Sequence, residues 1–251
     1  KTIYGRLFKW GIIFRCEEWI GEKSMDGQKI LTYLENLREN NNREWYHAHK
    51  QEYKDANGAF EAMIQELITG IGAFDASVLH NEPKDLTFKL VRDTRFSHDK
   101  SPYNPAFRVH ISAKGKLPVP VGYYLMIKPG NQSFLGGGLF ADMFKDATAM
   151  VRNYIAQNGR EWEKILHEPD FQNTFTVQGV TLKNVPSGFD KEHPQAEYLK
   201  FKSWYVEYPI SDKEIQKGEM FVTQAVKIFQ MMKPFNDYLN RALDGFQMPA
   251  R

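Results

Sequence analysis

Residues 88–103 (FKLVRDTRFSHDKSPY) hold more groups able to bind an anion or move a proton than any other part of the chain. Arg92, Arg95 and Lys100 carry the charge that a phosphate or carboxylate needs. Ser97 and Tyr103 add hydroxyl donors, and Asp99 and His98 are the candidate general acid or base. Strand-like alternation turns Arg92 to the side of Phe88 and Leu90, the expected core side, and sets Arg95 beside Asp93. A guanidinium turned inward must be paired, because an unpaired buried charge is very costly. Asp99 or a helix carboxylate is the natural partner. The same residues therefore admit a purely structural reading, an ion-pair network that fixes the turn.

Other groupings carry less. Gly136, Gly137 and Gly138 have free amides that could cradle a phosphate, but lack the Lys-Ser/Thr of a P-loop and the dinucleotide spacing. A bend or bulge in a strand explains them better, with close approach of the backbone to a ligand as the second reading. His47 and His49 lie two apart on a helix and do not share a face, so no metal site follows. Asp190, Glu192 and His193 read as a polar loop. Tyr103, Arg108, Tyr124 and Lys128 interleave aromatic and basic character, as a single-strand stacking platform would.

The elements that position these groups follow from periodicity. Ile30, Leu31, Leu34 and Leu37 mark a helix over 28–38. Asn41 or Asn42 should cap a second helix, from about Arg43 to Ile71. From Thr87 the period falls to two. Strands are expected around 86–91, 107–112, 123–128 and 133–140, and short connections between them imply antiparallel hairpins. Helical spacing returns over 146–157 and 160–167, where Pro169 stops it. Residues 175–180 and 198–208 read as strands. Ser211 and Glu214 form a capping box for a last helix, which Pro234 kinks or restarts before it ends near Leu243. No repeat or long linker divides the chain. The expectation is one α+β domain over 25–251, its mostly antiparallel sheet covered on one face by helices 43–71 and 212–243. Residues 1–24 read as an N-terminal extension, since Met25 precedes the first clear helix.

Composition excludes several classes. With 33 basic and 31 acidic residues the net charge is +2, so no global field attracts nucleic acid or an anionic membrane. The single cysteine, Cys16, excludes an internal disulfide and a Cys-rich zinc site, and points to a reducing compartment, the cytoplasm. No apolar run reaches the ~18 residues of a membrane span. Nothing in the sequence specifies a cofactor or an oligomeric state.

Residues 37–46 (LRENNNREWY), with Lys50 and Tyr53, pair with 92–103 (RDTRFSHDKSPY) in a pattern that is familiar. Gly122, Tyr123 and Tyr124, then Leu135 to Gly138, then 186–190 (PSGFD) with His193, Pro194, Leu199 and Lys200, extend it. From about Lys29 to Leu243 the chain resembles domain-of-unknown-function family 2461, an uncharacterised and largely microbial family. Ser187 stands where that family carries a basic residue, and Ala141 where a tryptophan-and-proline pattern is usual. The resemblance supplies no reaction, cofactor or catalytic residue, and implies that the charged motifs gather in one place.

Two classes of function remain. The preferred one is an enzyme or binding protein for a small anionic or phosphorylated ligand at Arg92–Tyr103. The alternative is a non-catalytic protein- or nucleic-acid-binding module whose charged motif is an ion-pair network.

Overall fold

In the computed structural model, residues 25–249 are described. The expectation for residues 1–24 lies outside them. Asp26 accepts from the Lys29 amide and starts α1 (Gly27–Glu39), which buries Ile30, Leu31, Leu34 and Leu37. Asn42, not Asn41, caps the next helix by accepting from the Trp45 amide. The single helix expected over 43–71 is two, α2 (Arg43–Ala48) and α3 (Lys50–Gly72), joined at His49. The His49 ring stacks on Trp45 at 4.0 Å, and its Nδ1 lies 2.8 Å from the Trp45 carbonyl. That local bond competes with continuation of the helix. A 3-10 turn (Ala76–Val78) and α4 (Pro83–Leu86) follow.

The sheet is an antiparallel meander, ordered β1 (Phe107–Ile111), β2 (Tyr123–Ile127), β3 (Ser133–Leu139) and β4 (Trp204–Ile210). The strand expected at 86–91 reduces to two bridges, Thr87 to Val109 and Val91 to Tyr103. The facing segment contains Pro102 and Pro105, which have no N–H to donate, so a continuous ladder cannot form. The strand expected at 175–180 is likewise one bridge, Gln178 to Tyr205. Of the strand expected at 198–208, only the part from Trp204 is strand.

The remaining helices are α5 (Lys145–Gln157), α6 (Gly159–Leu166), α7 (Pro169–Thr174), α8 (Ala196–Leu199), α9 (Asp212–Ile215) and α10 (Glu219–Ala242). Pro169 does not only follow one helix but opens α7, where a missing N–H costs nothing. Ser211 and Glu214 make the expected capping box, but it starts only the four-residue α9; the single helix expected over 212–243 is broken before Gly218, whose positive φ of 55° precedes α10. Pro234 lies inside α10, which neither stops nor restarts there. No helix among the described residues is long and apolar enough to cross a membrane.

Helices α3 and α10 cover one face of the sheet. Phe60 of α3 stacks on Phe107 at 5.2 Å. On β3, a Cβ at Gly137 would lie 3.0 Å from both Met232 Sδ and Asn236 Oδ1 of α10. Gly137 thus lets the helix settle directly on the strand, which explains that part of the triple glycine without a phosphate. The opposite face of the sheet has no such helix layer among the described residues.

Candidate functional site

The charged stretch forms an exposed hairpin, and its groups mostly serve one another. The Arg92 guanidinium pairs with the Asp99 carboxylate and reaches Ser97 Oγ and the Ser101 carbonyl, both at 3.3 Å. Arg92 is half-buried rather than fully turned inward, and Asp99 is exposed. The Ser101 hydroxyl and amide, with Arg92, hold the Asp99 carboxyl far below the usual carboxylate range. Arg95 binds Asp93 with its Nη2 and Nε at 2.6 Å and 3.0 Å, and thereby lowers the Asp93 pKa. Lys100 Nζ donates to the Thr94 carbonyl at 3.0 Å. His98 is exposed.

Tyr103 points away from these cations. It is buried, its ring stacks on Tyr46 at 4.3 Å, and its backbone exchanges two hydrogen bonds with the Asn41 amide side chain. Through Asn41 the first motif and the central motif do meet, at the base of the hairpin. Its tip is held by Arg92. Arg92→Ala is therefore expected to speed amide exchange across 93–101 by about tenfold or more, while Arg95→Ala leaves residues 97–101 protected as in wild type. Exchange read by mass spectrometry decides this, and equal loosening by both variants would overturn it.

The other face of the sheet holds a built hollow. Its floor follows from register: His110 of β1 lies opposite Tyr124 of β2, Tyr124 opposite Gly136 of β3, and Gly136 opposite Glu207 of β4. Four side-chain positions thus form one row across all four strands. The third is a glycine, and the rings of Phe140 and Phe134 take up the room it frees between Tyr124 and Glu207. With strands ~4.8 Å apart, those two residues stand roughly 10 Å from each other at the backbone. His110, Tyr124 and Glu207 line a cavity of about 400 Å³, walled by Phe88, Phe134, Phe140 and Phe144 and rimmed by Met143 and Lys116. Small-molecule sites span ~300–1,000 Å³.

Each wall has a cause. Arg108 lies over the Phe88 ring at 5.5 Å and donates to the Lys89 carbonyl at 3.1 Å, so it pins residues 87–91 beside β1. Phe88 then leans on Tyr124, with ring centroids 6.3 Å apart. Phe134 and Phe140 each stand 5.6 Å from the Tyr124 ring, and Phe140 stacks on Tyr205 at 4.5 Å. A Cβ at Gly136 would come within 2.8 Å of the Phe140 ring, so the glycine also admits that wall.

The polar groups of the row are all moved toward neutrality. Burial pushes the His110 imidazole down to about 4, against hydrogen bonds to the backbone at Lys116 and Leu117. Burial also raises the Tyr124 phenol and the Glu207 carboxyl. Among the described residues no cation forms an ion pair with Glu207. Perturbed groups gathered in a hollow are a physical mark of a ligand site. None of the seven residues expected at the Arg92–Tyr103 site lines it.

Sequence periodicity did not single out Glu207, His110 or Phe140. A signal was present: the strands carry aromatics at alternate positions on both faces, Tyr123 with Tyr124 and Trp204 with Tyr205, where an uncovered face would carry polar residues. No curated protein and no solved structure matched the chain. Residues 29–238 match the family described as a conserved hypothetical protein, DUF2461, and the chain belongs to that family.

Proposed function

We propose that the protein binds a small, largely apolar molecule in the hollow on the uncovered face of the sheet. The observation that carries this is the cavity itself, where His110, Tyr124 and Glu207, three members of one row across the sheet, share a lining with Phe88, Phe134, Phe140 and Phe144. Aromatic walls supply non-directional burial, and Glu207 supplies one polar anchor that fixes orientation. The anion reading of Arg92–Tyr103 draws less support, because Arg92, Arg95 and Lys100 already bind groups of their own hairpin.

Titration of a small-molecule library by thermal shift tests the reading, with Ala141→Trp as the control. Ala141 lines the hollow, so an indole there should abolish ligand-induced shifts while leaving the unliganded melting temperature within a few degrees. Shifts that survive Ala141→Trp would place binding elsewhere.

Glu207 gives a second expected outcome. Its folded pKa is raised, so the stability it contributes is present below the unfolded value and is lost as pH rises through the folded one. At pH 7 the wild-type protein thus carries the cost of half-burying Glu207 without an ion-pair partner. Glu207→Gln should melt above wild type at pH 7 and match it at pH 4. A lower melting temperature at pH 7 would mean that the carboxylate has an unrecognised partner. Such a gain on removing a polar group is the usual sign of a residue kept for function.

A further inference from the structure

We infer, on the reading that the hollow is the ligand site, that its ligand carries an alkylated ammonium group. The rings come first. Phe88, Phe134 and Phe140 surround Tyr124, tilted to it by 56°, 30° and 42°, as the walls of a bowl must be and as a flat stack would not. A cation held among aromatic faces is attracted by the negative face of each ring, and the attraction grows when water is excluded.

The charges of the site point the same way. Glu207 faces the hollow without a counter-ion among the described residues. The nearby cations form no ion pair with it: Lys116 Nζ donates to the Thr87 carbonyl at 3.3 Å, and Arg108 covers Phe88, donates to the Lys89 carbonyl and keeps a buried Nε without a hydrogen-bond partner. His110 is buried and neutral at physiological pH. A bound cation would give Glu207 the ion-pair partner that no described residue supplies.

The acceptor inventory selects the kind of cation. A primary ammonium brings three N–H donors and needs an acceptor for each. The side chains lining the hollow offer few acceptors beyond Glu207 and the Tyr124 hydroxyl. An ammonium whose hydrogens are replaced by methyl groups asks for none, and its methyls pack on the rings. The cavity of about 400 Å³ leaves room for such a head and several further carbons. Met143, 73% exposed at the rim, gives a flexible and polarisable wall for the remainder.

The test uses three probes of one shape on the whole chain: choline, its neutral analogue 3,3-dimethylbutan-1-ol, and 3,3-dimethylbutanoate. Affinities are read by NMR titration. Choline should bind about tenfold more tightly than the neutral alcohol, and the carboxylate most weakly. Glu207→Gln and Tyr124→Leu should each bring choline down toward the alcohol, with the alcohol itself little changed by Glu207→Gln. Equal or tighter binding of the alcohol or the carboxylate, blocked by Ala141→Trp, would overturn the cation assignment and leave the hollow as a binding site. Binding of none of the three, together with no library hit sensitive to Ala141→Trp, would overturn both.

Discussion

Gly138→Ala is expected to unfold at far lower denaturant than Gly188→Ala, although both place an alanine at positive φ. The backbone angles are +98° and +93°. Left-handed or mirror-region backbone costs an L-residue about 1–3 kcal/mol, and both variants bear it. The surroundings differ. A Cβ at 138 would lie 2.4 Å from the Trp204 carbonyl oxygen and 2.7 Å from the Phe235 ring, whereas nothing lies within 4 Å of one at 188. The Trp204 oxygen is backbone and cannot swing aside, so β3 must part from β4 at the Gly138–Tyr205 pair. Gly138→Ala should therefore cost about 3–5 kcal/mol and Gly188→Ala about 1 kcal/mol. Urea midpoints with a shared slope measure both. Equal losses would mean that φ strain alone decides and that the contact of β3 with β4 is looser than described. Because Glu207 stands on β4, displacement of that strand should also weaken any ligand of the hollow.

The second large effect belongs to His110. Its folded pKa is about 4, against 6.5 for the free side chain, because the ring is buried beneath the loop at Lys116 and Leu117. Between pH 6.5 and 4 the unfolded chain binds a proton that the folded protein refuses. Stability tied to this ring is fully present above 6.5 and is lost as pH falls toward 4. Each tenfold difference in proton affinity between the unfolded and folded chain is worth about 1.4 kcal/mol, so the loss is on the order of 3 kcal/mol. His110→Phe keeps a ring of similar size and removes the proton site. The difference in unfolding free energy between wild type and His110→Phe should thus grow in the variant's favour by about that amount from pH 7 to pH 4. A difference that stays flat with pH would show that the ring accepts its proton in the folded state. The sign is opposite to that of Glu207, whose removal helps at neutral pH and not in acid, so the two groups can be separated by pH alone.

The His110 and Glu207 effects arise on the face of the sheet that the helices leave open, whereas the Gly138 clash with Phe235 of α10 falls on the covered side. Once helices α3 and α10 occupy one side, Tyr124, Phe134, Phe140 and Tyr205 on the other pack on one another and, through Phe88, on the segment 87–91. That packing sets the Phe140 and Phe134 rings over Gly136 and closes the walls of the hollow. The charged hairpin, by contrast, spends its cations locally. Arg95 binds Asp93 two residues away and Lys100 a carbonyl six residues away, and such contacts need little of the rest of the fold.

Local chemistry made much of the fold legible in advance. Helical spacing placed α1, α5 and α6, the Ser211 and Glu214 box placed the start of α9, and short connections required the antiparallel meander of β1, β2 and β3. Asp99 was nameable as a partner for Arg92 because a guanidinium near the core needs a carboxylate and this one lies seven residues on. Each of these rests on interactions between residues close in the chain. The family membership was also legible, from motifs that are contiguous. What only the tertiary structure decided was how segments far apart in sequence meet. Pro102 and Pro105 turned an expected strand into two bridges because the ladder depends on both of its sides. Asn41 left its capping role to Asn42 and clasped Tyr103 instead. The row from His110 to Glu207 exists only because three strand pairings share one register, and a slip of one residue in any of them would turn its members to the helix-covered face. No single stretch of sequence encodes that row, so the hollow became visible only when the four strands were set side by side.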